Sequence, residues 1–140
     1  MNVIEEVFVK TFVARNMRSR WLTRLVSIKT RSKILGRLAH TFELDLDPRF
    51  VYDKDNLPTD IAVRVEKVLN HWKKANPEHL CHIMASSRDR DGEMMNLEEA
   101  EADYSLTFGA VIIIIPHKLA YYHTERSNIN KEPFYVLFHP

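Results

Sequence analysis

The run Ala110-Val111-Ile112-Ile113-Ile114-Ile115 constrains this chain more than any other feature. Six aliphatic residues without polar alternation need cover on both sides, which predicts a central strand. The run is far short of the roughly 20 residues that span a bilayer. Pro116-His117-Lys118 is a tight connection, so the strand that follows at 119–124 is expected to pair antiparallel with it. Further strands are expected at 80–86 and 133–139. The resulting picture is a meander of three or four strands with helices packed on one face.

The first half reads as helical. Trp21, Leu22, Leu25 and Val26 share one helical face, while Ile34, Leu35, Leu38 and Phe42 share nearly the opposite one. One straight helix cannot bury both, so a break is expected between Ser27 and Thr30, with Thr30 capping the second helix. Ile61, Val65, Val68, Leu69 and Trp72 form the stripe of a third helix, which Thr59 or Asp60 is expected to cap and Asn76-Pro77 to stop. Asn96, with Glu99 three residues on, is a capping-box signature for a short helix over 97–104. Residues 8–13 are rich in β-branched and aromatic types and are read as a short strand, although Ile4, Val7, Phe8 and Phe12 also fit helical spacing. The expected fold is one α+β domain over residues 1–140. Its helical N-terminal half packs on an antiparallel sheet built mainly from the C-terminal half.

Charge is segregated. Residues 1–40 carry nine Lys/Arg against two Glu, a charge of +7; residues 41–140 carry eleven against seventeen Asp/Glu, a charge of −6. Arg20, Arg24, Lys33 and Arg37 belong to a basic helical stretch without an acid, which predicts a surface for an acidic protein or a nucleic acid. The competing reading is attraction between the two halves, within one molecule or between copies in a homo-oligomer. No RNA- or DNA-binding signature accompanies the basic stretch.

Three other constellations bear on chemistry. In the stretch from Ser87 to Glu98, Asp89, Asp91, Gly92 and Glu98 occupy positions 3, 5, 6 and 12 of a calcium loop. Position 1 is Ser, two arginines intervene and a strand precedes it, so the favoured reading is a turn and a capped helix, with no metal. His117, Lys118 and His123 lie on neighbouring predicted strands, where they could do acid–base work on a phosphodiester. Tyr121, Tyr122, Phe134, Tyr135 and Phe138 could stack nucleic-acid bases, but alternation along strands favours cross-strand pairs and core; Phe134 and Phe138 are read as core, while Tyr122 and Tyr135 stay open between the two. His79, Cys81 and His82 match no zinc spacing. The chain has only three glycines and no Gly-rich phosphate loop, and no motif requires a cofactor.

Cys81 is the lone cysteine, so no intrachain disulfide forms and a reducing, cytoplasmic compartment is expected. The N-terminus lacks the basic and apolar regions of a secretory signal, and no membrane attachment is expected. Leu46-Asp47-Pro48-Arg49-Phe50, the Asp91-Gly92 turn leading to Leu97-Glu98-Glu99-Ala100, and Pro116-x-x-Leu119-Ala120-Tyr121-Tyr122 together resemble a small family of bacterial proteins. The resemblance implies a bacterial, intracellular protein and carries no activity or catalytic residue with it. The leading expectation is a non-enzymatic interaction or regulatory module. A small phosphodiester-directed enzyme is the rival.

Overall fold

The computed structural model describes residues 2–124 and 134–140. Four helices come first: α1 (Val3–Phe12), α2 (Arg15–Leu25), α3 (Ile28–Leu35) and α4 (Arg37–His40). Strand β1 (Val51–Asp53) and helix α5 (Thr59–Ala75) follow. Then come β2 (Leu80–Ala85), β3 (Met94–Asn96), α6 (Leu97–Ala102), β4 (Ala110–Ile115), β5 (Leu119–His123) and β6 (Phe134–Phe138). The α+β class is as expected. Among the described residues no helix is long and apolar enough to cross a membrane.

The sheet has six strands, not three or four, in the order β1-β6-β5-β4-β2-β3. Every pairing is antiparallel. The two extra strands are the edges, β1 and β3, each three residues long. β4 lies between β5 and β2, as its unbroken apolar run requires. Its pleat sends Val111 and Ile113 into one core and Ala110, Ile112 and Ile114 into another. The first core is closed by α1–α4 and the second by α5 and α6, so helices cover both faces, not one.

Residues 8–13 are helical except at their end, not a strand. Asn2 caps α1 by accepting from the Glu5 N–H at 2.9 Å. Glu5 and Glu6 sit in the first turn, where the helix dipole favours acids. Phe8 and Phe12, one turn apart, then face the core with ring centroids 5.4 Å apart. Only Val13 is extended, forming an isolated bridge with Leu46.

The break between α2 and α3 falls where expected, but the cap is Ser27, whose Oγ accepts from the Thr30 N–H at 3.3 Å. Thr30 instead donates its hydroxyl to the Arg24 carbonyl at 2.8 Å and so closes the end of α2. Pro58, not Thr59 or Asp60, is the capping position of α5. Asn96 caps α6 as predicted, accepting from Glu98 N–H and Glu99 N–H, and that helix stops at Ala102, short of Tyr104.

Helix α4 is tied to the sheet at two points. Tyr122 donates to the Leu38 carbonyl at 2.6 Å, and Thr124 donates to the Ala39 carbonyl at 2.9 Å. Gly109, with φ of +129°, lets β4 begin against this helix; a Cβ there would lie 2.7 Å from the Ala39 nitrogen. The segment Ser127 to Glu132, which precedes the last strand in sequence, lies outside the described residues.

Candidate functional site: a basic cleft over a buried ionic network

The β2–β3 connection is held in a fixed loop by its own backbone. Gly92, at φ +84°, allows the reversal, and its N–H donates to the Ile83 carbonyl at 2.8 Å. The turn aims Asp91 back at α3. There Arg31 spreads its guanidinium between two carboxylates. Nη1 and Nη2 each donate to Glu5 at 2.7 Å. Nε and Nη2 donate to Asp91 at 2.7 and 2.9 Å.

His82, on β2, completes the network. Asn2 uses its Oδ1 as the helix cap, which turns its Nδ2 toward His82 Nδ1 at 3.3 Å. The ring therefore accepts at Nδ1 and donates from Nε2 to Glu5 at 2.7 Å. Burial alone would raise the Glu5 carboxyl, but hydrogen bonds from Arg31 and His82, with the charge of Arg31, outweigh it and hold the carboxyl at about 2. Arg31 is held firmly charged by its bonds to Glu5 and Asp91. Paired charges of this quality form a fixed floor.

Above that floor lies a cleft of about 590 Å³ between α3 and the end of β2. Lys29, Lys33 and Arg88 line it with Ser32, Ser86 and Ile28. Among the described residues the only carboxylate in its wall is Asp91, whose charge Arg31 already meets. Among the described residues Lys29, Lys33 and Arg88 have no acidic partner. The wall thus carries three uncompensated cations beside Ile28, an isoleucine that is 91% exposed.

The predicted binding residues divide. Lys33 lines the cleft. Arg20 and Arg24 stand on α2 outside its lining, opposite the buried Trp21 and Leu25. Arg37 is committed elsewhere: it holds buried Asp45 through two bonds of 2.5 and 2.7 Å, and Asp45 also accepts from the Trp21 indole at 3.0 Å. Lys29 was within the basic stretch, but Arg88 was missed, because a lone arginine in a polar turn has no periodicity to reveal its neighbours.

The calcium candidates do not converge. Asp91 serves Arg31 and the Ala85 N–H, while Glu98, at the start of α6, faces His79 at 3.1 Å and Lys73 at 3.7 Å. Asp89 is exposed on the loop. No group of three or more His, Cys, Asp or Glu among the described residues could hold a metal.

His117, Lys118 and His123 are also kept apart. His117 and Lys118 form the β4–β5 turn, whereas His123 ends β5 opposite Ala110. Five strand steps put Lys118 and His123 roughly 16 Å apart. The expectation failed because these residues occupy opposite ends of one strand. His123 is buried with its ring edge-on to Phe134 at 4.4 Å, and neither nitrogen has a hydrogen-bond partner. Burial, with the charge of Lys54, lowers its pKa to about 4. Cys81 is buried too; desolvation and the charges of Glu101 and Glu98 push its thiol up to about 12, which leaves it inert as a nucleophile. Tyr122 and Phe138 are core, not a stacking platform; Tyr121 is also buried, while Phe134 and Tyr135 are half-buried.

No protein-family model, curated protein or solved structure matches this chain.

Proposed function

We propose that the protein is a binding module that takes an acidic protein segment in the cleft between α3 and the β2–β3 loop. The observation that carries this reading is the convergence of Lys29, Lys33 and Arg88, without acidic partners, beside the exposed Ile28. Cations alone suit a nucleic-acid backbone equally well, since phosphates need only charge. Ile28 decides between the two. A phosphate chain gains nothing from an exposed isoleucine, whereas an acidic peptide with apolar side chains covers it and gains about 1.5–3 kcal/mol from that burial. Because Arg31 and Asp91 are mutually neutralised, the cleft can attract carboxylates without first breaking an internal pair.

Fluorescence anisotropy with a labelled amphipathic Glu/Leu peptide, beside single-stranded and duplex DNA of similar length, tests this. The peptide should bind, with affinity falling as salt rises. Reversing Lys29, Lys33 and Arg88 to Glu should abolish binding, and Ile28→Ser should weaken it about tenfold. Arg37 is left intact, since its reversal would strand buried Asp45. DNA binding more tightly than the peptide, or an Ile28→Ser variant that binds as well as the parent, would refute the reading.

A further inference from the structure

A second concavity, of about 740 Å³, lies on the other face of the sheet and at its opposite end, between α5 and the β4–β5 turn. It owes nothing to the α3 cleft. On α5, Lys67, His71 and Lys74 line it. They fall at i, i+4 and i+7, so they form one continuous stripe along the helix. The turn brings His117 and Lys118 across to face that stripe. Among the described residues no carboxylate lines the space. Among the described residues none of these five side chains has an acidic partner, while Lys73, one step round the helix, turns away to Glu98 at 3.7 Å.

A lysine in the last turn of a helix has an ordinary explanation, since it meets the carbonyl end of the dipole. That accounts for Lys74. It does not account for Lys118, which comes from the sheet end, lies 5.8 Å from the Phe138 ring centroid and lines the same space with the same sign of charge. Like charges that converge across a concavity repel unless an anion sits between them. The floor is different in kind: Val68, Trp72 and Ile115 offer apolar surface. Ammonium groups around an apolar floor fit a molecule with an anionic head and an organic body. The volume lies within the range of small-ligand sites.

We propose that this pocket binds a phosphorylated small organic molecule. Its phosphate is held between Lys67, Lys74 and Lys118, and its organic part rests on Val68 and Ile115. Lysine suits this task because its ammonium is a compact point charge that binds phosphate.

The experiment titrates the full chain with adenosine 5′-monophosphate and with phenyl phosphate, followed by calorimetry and by NMR shifts of the α5 amides. Inorganic phosphate and adenosine are run as separate arms. At least one organic phosphate should saturate the site at or below about 1 mM, with both inorganic phosphate and adenosine at least about tenfold weaker. Lys118→Glu and Lys67→Glu should each weaken binding by about tenfold or more, and Lys118→Arg should largely retain it. Lys67 is exposed and Lys118 half-buried, and circular dichroism checks that each variant folds. Three results would overturn the proposal: no saturation by either organic phosphate at about 10 mM, inorganic phosphate binding as tightly as they do, or indifference to both charge reversals.

Discussion

His82 and His123 sit on opposite faces of the same sheet, at 4% and 9% exposure, and meet opposite fates. His82 has both ring nitrogens engaged, by Glu5 and by Asn2. His123 has neither engaged. Under α1, Asn2, Glu5, Arg31, His82 and Asp91 thus satisfy one another as a connected set. The face under α5 and α6 buries a lone imidazole against Phe134, beside an opening of about 430 Å³ lined by Tyr121, Glu101 and Lys54. The difference teaches that depth alone does not decide what a buried polar group costs. Partners do.

Breaking the connected set should have the largest effect. Glu5→Gln keeps the shape but removes the charge that meets Arg31, and a buried pair broken on one side loses about 3–5 kcal/mol. Urea unfolding at neutral pH measures it directly. A loss below about 1 kcal/mol would mean that the network is solvated and that the contrast with His123 is illusory.

The second test acts on the other face. The folded pKa of His123 is about 4 against an ordinary 6.5. Between those values the unfolded chain holds a proton that the folded chain refuses, so acid favours unfolding there. Stability is intact above pH 6.5 and falls as pH drops toward 4, by about 3 kcal/mol at most. Glu5 behaves likewise in a lower window, from 4.5 down to about 2, because its folded pKa is also depressed. His123→Phe should therefore flatten the upper window and leave the lower one. At pH 7 it should also raise stability by about 1–3 kcal/mol, since it deletes two unsatisfied atoms. His82→Phe, which removes a donor from buried Glu5 and an acceptor from the Asn2 amide, should lower it. An upper window that survives in His123→Phe would assign that titration to another group.

What could be read in the sequence follows the same division. The β4 strand was legible because both of its faces are apolar. Helix α5 was legible because Ile61, Val65 and Trp72 keep one helical spacing. Strands β1 and β3 were not, since three residues cannot establish a period of two. Residues 8–13 carried both periodicities, and packing of Phe8 and Phe12 against the core chose the helix. The basic stretch was visible as composition, and Lys33 within it lines the cleft. What separates Lys33 from Arg37 was not visible: Asp45 is a neighbour that only the turn after α4 brings into reach. Arg31 joins acids 26 and 60 residues away in the chain, and no local pattern encodes such a pair.

The smallest expected effect comes from the exposed corner between α2 and α3, and it sharpens the comparison from the solvent side. Ser27 makes the same kind of bond as Asn2, a side-chain oxygen accepting from a backbone N–H at the start of a helix. Around Ser27, however, water competes for both groups. Ser27→Ala should cost about 0.5–1 kcal/mol in a thermal melt, well below the loss in Glu5→Gln. Because this cap fixes where α3 begins, it also sets the direction in which Lys29 and Lys33 point. The same variant should therefore weaken peptide binding in the cleft slightly, without changing its salt dependence, since no charge is lost. A cost equal to that of Glu5→Gln would show that burial is not what distinguishes the two kinds of hydrogen bond, and the contrast between the sheet's faces would need another cause.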